Sequence, residues 1–187
     1  EDNSIIALVR NITEQKKSQQ YIQYLAHHDV LTSLPNRLLL EEWVTKQIQE
    51  AGHGQQIQFF FIDLDNFKII NDTIGHTVGD YILVELAGRL KRFISGRGFV
   101  SRIGGDEFIL CFNECDKLQV QEISDELKAV IRKPIFYQEL ELEITMSIGT
   151  STFPEDGGDC WLLVKNADIA MYHAKHSGKN RIVEYTF

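Results

Sequence analysis

The chain has 187 residues, enough to bury one sizeable core with a flanking segment to spare. Nineteen basic against twenty-seven acidic side chains leave a net charge of −8, which argues against nonspecific nucleic-acid binding, because that needs a positive surface. A nucleoside triphosphate is not excluded, since divalent cations can supply the missing positive charge.

Residues 4–9 (SIIALV) read as one short buried strand with no partner nearby in sequence, as at the tail of a preceding domain. Residues 13–28 follow as a polar helix with Thr13 as N-cap and Tyr21, Leu25 and His28 on one face. A solvated connector and a helix that pairs with another are both open. His27, His28 and His53 have no matching ligand set and read as surface or packing residues. Residues 29–37 interrupt the helix: Pro35 drives Leu34 out of the helical region and Asn36 can cap what comes next. A helix over 38–50 is expected to anchor on Leu39, Trp43 and Ile48 and to end at residues 52–54.

Residues 58–62 (QFFFI) form a continuous apolar run, as in a central strand covered on both faces. The run stops at Asp63-Leu64-Asp65, and two carboxylates at the tip of a buried strand are costly unless they bind something. A short helix over 68–74 closes at Gly75. A longer one runs to Ile94 with Ile82, Leu86, Leu90 and Phe93 as its stripe. Next comes a hairpin, with strands around residues 98–100 and 108–112 and Gly104 and Gly105 in its turn, where glycine permits positive φ and close approach of a ligand. Asp106 and Glu107 ride on that turn, although Gly-Gly-Asp is also ordinary turn chemistry. Cys111 falls in the returning strand as core. Residues 116–131 are helical with Leu118, Ile123, Leu127 and Val130 inward. A second hairpin is expected from 134–137 and 140–150, with Ile144, Met146 and Ile148 alternating inward. The last helix, 159–176, carries Leu163, Ala167, Ala170, Met171 and Ala174 on one face, and 181–185 supply a final strand. Helices mixed with hairpins, without strict alternation, argue for an α+β domain with a mainly antiparallel sheet.

Two acidic clusters, Asp63/Asp65 and Asp106/Glu107, converge at one end if their strands are neighbours. Such a site suits Mg²⁺ or Mn²⁺, hard cations that take few protein groups when phosphates supply the rest. Asn66, Phe67 and Lys68 run into a helix start whose N–H groups can hold phosphate. Lys175 and Lys179 add positive charge, or serve only as favourable helix C-terminal charge. The residues alone reach a metal-dependent site for a phosphorylated ligand and leave the reaction open.

Residues 102–108 read RIGGDEF, which resembles the signature of the GGDEF family of diguanylate cyclases. Residues 29–37 (DVLTSLPNR), 63–80 (DLDNFKIINDTIGHTVGD) and 174–181 (AKHSGKNR) agree with that family in order and spacing, so the resemblance covers residues 29–187. It implies a five-stranded, mainly antiparallel sheet wrapped by helices, similar to polymerase palms and nucleotidyl cyclases. It also implies condensation of two GTP into cyclic di-3′,5′-GMP with release of two pyrophosphates, across a homodimer whose active sites face each other. By motif position, Asp63 and Asp106 would bind two metal ions with the Leu64 carbonyl. Asp106 would help deprotonate the attacking hydroxyl, with Glu107 in support. Asn71 and Asp80 would read the guanine edge, because an amide and a carboxylate match its acceptors and donors. Asn66, Phe67 and Lys68 would hold phosphate beside Gly104 and Gly105, with Lys175 and Lys179 as a basic clamp. Asn71 as a helix end and Asp80 as a helix acid are the plainer alternatives.

Two departures stand out. Lys179 sits where the family often has Arg, which keeps charge but loses bidentate phosphate geometry. Ser95-Gly96-Arg97-Gly98 replaces the Arg-x-x-Asp of product-inhibited members, so inhibition through that site is not expected. Residues 1–28 resemble the end of a PAS sensor domain and its signalling helix, in the style of proteins where PAS, GGDEF and a phosphodiesterase EAL domain follow one another. A PAS domain upstream and an EAL domain downstream are therefore expected partners, and a GTP-loaded regulatory module is the alternative to an active cyclase. The three cysteines, the lack of a signal peptide or membrane-length apolar run, and an opening on Glu1 suggest a cytoplasmic piece of a longer protein that is anchored elsewhere if at all.

Overall fold

The structure, a computed structural model, describes residues 13–52, 54–113, 115 and 117–186. The expected strand over 4–9, the PAS-like tail and His53 lie outside the described residues. A helix α1 (Thr13–His27) leads through a wide turn into α2 (Arg37–Glu50), and the central strand β1 (Ile57–Leu64) follows. Then come α3 (Phe67–Ile74), α4 (His76–Ile94), the hairpin β2 (Gly98–Gly104) and β3 (Glu107–Asn113), and α5 (Lys117–Ile131). Strands β4 (Ile135–Tyr137), β5 (Leu140–Leu142) and β6 (Met146–Phe153), helix α6 (Cys160–His176) and strand β7 (Ile182–Glu184) complete the chain.

The main sheet has five strands in the order β2-β3-β1-β6-β7, all antiparallel except the β6–β7 pair, so it is mixed but mainly antiparallel, as the sequence implies. β1 lies at its centre and is buried along its whole length, which is why it reads as an unbroken apolar run. Alternation sorts its side chains between two cores. Phe60, Ile62 and Leu64 pack with Leu86 and Leu90 of α4 and Leu127 of α5, while Phe59 and Phe61 pack with Leu40 and Val44 of α2 and Leu163 of α6. Burying each such phenylalanine contributes about 1.5–3 kcal/mol.

Two expectations need correction. In α2 the buried anchors are Leu40 and Val44, whereas Leu39, Trp43 and Ile48 are half-buried. Trp43 and Ile48 still pack against the core around Leu40 and Val44, and Asn36 caps the helix by accepting from the Leu38 and Leu39 N–H groups. The second hairpin is not one long ribbon. β4 and β5 pair alone as a small sheet, and 143–145 separate them from β6, which joins the main sheet between β1 and β7. Ile144, Met146 and Ile148 are nonetheless all buried. Helix α1 buries none of its residues, Tyr21 and Leu25 included. Cys111, Cys115 and Cys160 are buried and reduced.

Candidate active site

The site forms where β1 ends beside the β2–β3 turn. The register places Asp63 directly opposite Glu107, so residues from separate segments meet at one sheet end, as expected if their strands were neighbours. The ladder slips between Arg102 and Gly104, and such a bulge re-aims the side chains around it. Gly105 takes φ +45°, while Gly104 ends β2 without positive φ. The turn is braced from below. Arg102 donates to the Gly105 carbonyl at 2.6 Å and pairs with Asp29 at 2.7 Å. Its backbone N–H donates to the Pro35 carbonyl. The wide turn at 28–36 therefore supports the acidic hairpin directly.

Electrostatically the sheet end is crowded. Asp63 is nearly buried, and the Lys175 ammonium lies 2.7 Å from its Oδ1 as an ion pair without the alignment of a hydrogen bond. Burial pushes its carboxyl above the usual range; Lys175 opposes this, and the charges of Asp106 and Asp65 add to it. Glu107 is also raised, by burial first and then by the charges of Asp63, Asp168 and Asp106. Carboxylates held together short of full compensation are the donor set of a hard divalent cation. Among the described residues no group of three or more His, Cys, Asp or Glu side chains is arranged to hold a metal ion.

The remaining predicted residues surround this centre. Asn66 takes a left-handed conformation (φ +61°) and opens α3 without a side-chain cap, leaving its Oδ1 to accept from Lys179 Nζ at 2.6 Å. Phe67 is core, and Lys68 is exposed. Asn71 projects its Oδ1 into a buried space where it has no partner. Gly79 makes that space, since a Cβ there would stand 1.9 Å from the same oxygen. Asp80, on the next residue, is exposed.

Asp65 behaves differently from the pairing expected of it. Its carboxylate accepts from Thr145 Oγ1 and Ser147 Oγ at 2.7 Å each and from the Asn180 N–H at 3.0 Å, so it is already satisfied by the protein. Reading the sequence also missed the far side of β3. There a cleft of about 360 Å³ is lined by Arg37, Ile103, Glu107, Trp161, Lys165 and Asp168 among others. The Arg37 guanidinium lies 3.9 Å over the Trp161 ring. Partial loss of solvent raises the Asp168 carboxyl, and Asp168 in turn raises Glu107. The available signal was the 161, 165, 168 spacing of one helix face.

Residues 26–181 match the family described as "Diguanylate cyclase, GGDEF domain". The chain is 36% identical over 188 residues to the signaling protein YkoW of Bacillus subtilis, covering 99% of this chain and 24% of YkoW. It is 37% identical to the bifunctional diguanylate cyclase/cyclic di-GMP phosphodiesterase MucR of Pseudomonas aeruginosa, covering 90% and 25%. The chain thus spans about a quarter of the length of these curated relatives. Among solved structures, the GGDEF domain of TpbB (YfiN) from Pseudomonas aeruginosa superposes with a TM-score of 0.81 at 34% identity, covering 86% of this chain and 95% of that one. The coiled coil and GGDEF domain of DgcB from Caulobacter crescentus, in complex with c-di-GMP, gives 0.79 at 25% identity, with 92% and 93% covered.

Proposed function

The chain belongs to the GGDEF family of diguanylate cyclases, and from that premise we propose that it condenses two GTP into cyclic di-3′,5′-GMP as a dimer with one nucleotide per subunit. The observation that carries this reading is the meeting of Asp63 and Glu107 across β1 and β3, with Lys175 pressed against Asp63. In the reaction each 3′-oxygen forms a bond to the α-phosphorus of the other nucleotide, the α–β bridging bond breaks, and a pyrophosphate leaves on each side.

Asp63, Asp106 and the Leu64 carbonyl would hold two Mg²⁺ or Mn²⁺ ions per site, which would supply charge neutralisation at the phosphates and acidity to the hydroxyl. Asp106 takes the hydroxyl proton, with Glu107 beside it. Burial first, then the neighbouring acids, hold the Glu107 carboxyl above its ordinary value, the direction that favours a group exchanging protons. Asn71 and Asp80 read the guanine edge, and the unpartnered Oδ1 of Asn71 supports this, because an acceptor kept free in a buried space waits for a ligand donor. Asn66, Phe67 and Lys68 hold the phosphates next to Gly104 and Gly105, with Lys175 and Lys179 as the basic clamp. Residues 29–187 are the cyclase domain. Residues 1–28 are a PAS-like tail and linker helix, and PAS and EAL domains flank this segment in the full-length protein. Among the described residues no helix is long and apolar enough to cross a membrane.

The second reading, a GTP-binding module that regulates an EAL neighbour, draws on Lys179, whose single ammonium is already engaged by Asn66. Incubating the chain with GTP and Mg²⁺ and separating the products by chromatography distinguishes the two. Cyclic di-GMP is expected; a forced dimer that binds GTP yet yields no dinucleotide refutes the cyclase reading.

A further inference from the structure

Asp65 is buried at the end of β1, and its carboxylate is occupied by donors from two other parts of the chain. Thr145 immediately precedes β6 and Ser147 is its second residue, and the Thr145 carbonyl also accepts from the Asp65 backbone N–H at 2.9 Å. The third donor, the Asn180 N–H, belongs to the turn between α6 and β7. That turn is unusual. After Gly178 (φ +109°), Lys179 and Asn180 both take left-handed conformations, at φ +60° and +47°. Such angles are uncommon for a residue with a Cβ, Asn being the readiest exception, so the left-handed Lys179 points to contacts that hold it. Here the contacts are the Asn180 N–H to Asp65 and the Lys179 N–H to the Ala174 carbonyl at 3.0 Å. The next residue enters β7 with its carbonyl accepting from Ile148. The outcome is that Lys179 Nζ stands 2.6 Å from Asn66, the residue immediately after Asp65.

We propose that Asp65 is a positioning residue for the phosphate clamp: by gripping the α6–β7 turn from the end of β1, it sets Lys179 against the Asn66–Phe67–Lys68 turn so that both meet the pyrophosphate portion of a nucleoside triphosphate. The proposal rests on the reading of Lys179 and that turn as phosphate contacts. It assigns Asp65 neither to a metal nor to the reaction, although it lies two residues from Asp63 on the same strand end.

The test measures calorimetric affinity of the folded chain for two probes, inorganic pyrophosphate with Mg²⁺ and guanosine. Asp65→Ser keeps a hydroxyl among Thr145 and Ser147 but is one bond too short for the Asn180 N–H. Asp65→Asn can still accept that N–H while its amide donates to a serine or threonine hydroxyl. Asp65→Ser is expected to weaken pyrophosphate about tenfold, a loss of about 1.4 kcal/mol, and to leave guanosine within about twofold. Asp65→Asn should stay within about threefold for both, and Asp65→Ser should add nothing in a Lys179→Ala background, as required of residues acting through one contact. Parent-like pyrophosphate affinity in Asp65→Ser, equal loss of both probes, full additivity with Lys179→Ala, or failure of Asp65→Ser to fold each overturns the proposal. If Lys179→Ala itself binds pyrophosphate like the parent, the phosphate reading of the clamp has failed; if Lys179→Ala weakens binding while Asp65→Ser does not, only the role of Asp65 has.

Discussion

Asp29 and Asp63 each face one cation at 2.7 Å, Arg102 and Lys175 respectively, yet their carboxyls move in opposite directions. For Asp29 burial pulls upward, but donors from Thr32 and the Arg102 guanidinium outweigh it and hold the carboxyl below its ordinary value. For Asp63 burial wins, helped by Asp106 and Asp65, over one poorly aligned ammonium. The distance of an ion pair therefore says little about its purpose. Where further donors complete the acid, the pair is architecture; where neighbouring acids crowd it, the pair is provisional and the site is poised for something else.

The strongest way to break this comparison is to remove each acid in turn. Asp63→Ala or Asp106→Ala should cut turnover by at least ~10²–10³-fold, the scale of losing one charge-stabilising group, with the circular dichroism spectrum unchanged. Asp29→Ala should keep most of its turnover per folded molecule, and a matching loss there would erase the distinction. The same logic assigns Asn71, half-buried with a buried and unpartnered Oδ1, to the poised class. Gly79→Ala puts a methyl in its space and should weaken a nonhydrolysable GTP analogue about tenfold or more, ~1.4 kcal/mol, with pyrophosphate affinity unaffected by the same titration.

Stability should separate the pair by sign. A carboxyl with a raised folded pKa contributes stability that is present below the unfolded pKa and is lost as pH rises through the folded one. In metal-free buffer at pH 7, Asp63→Asn should accordingly raise the melting temperature, and the gain should shrink as pH falls through the raised folded pKa to the unfolded one. Asp29, lowered, contributes above its unfolded pKa and loses that contribution as pH falls through the folded one. Asp29→Asn should cost about 1.5–3 kcal/mol at pH 7, the worth of hydrogen bonds to a charged group. Equal signs in the two thermal scans would contradict the assignment. The smallest expected effect concerns Arg97, which resembles Arg102 in being fully engaged: it pairs with Glu126 at 2.8 Å and lies over Phe93. Rising cyclic di-GMP should not inhibit initial rates through the 95–98 window, and strong noncompetitive inhibition would count against it.

What the sequence discloses follows the range of the forces involved. The burial of β1, the hairpin with its acids, the α4 stripe and the Asn36 cap all depend on neighbours in sequence, and each is legible there. The fate of Asp65 is not, because its partners lie at 145, 147 and 180, and nothing local separates it from Asp63. The apolar stripe of helix α6 dominates its sequence and conceals that Trp161, Lys165 and Asp168 line the cleft beside Glu107. The break between β5 and β6 was equally hidden, since Ile144, Met146 and Ile148 keep an alternating pattern straight through it.

The contact between Lys175 and Asp63 sets an internal cation in competition with any external one for the same carboxylate. A cation bound at Asp63 would have to displace the ammonium, which Glu107 and Asp168 also attract, and a triphosphate would offer it a further anion. On the proposed reading, cation and nucleotide would therefore load more readily together than apart.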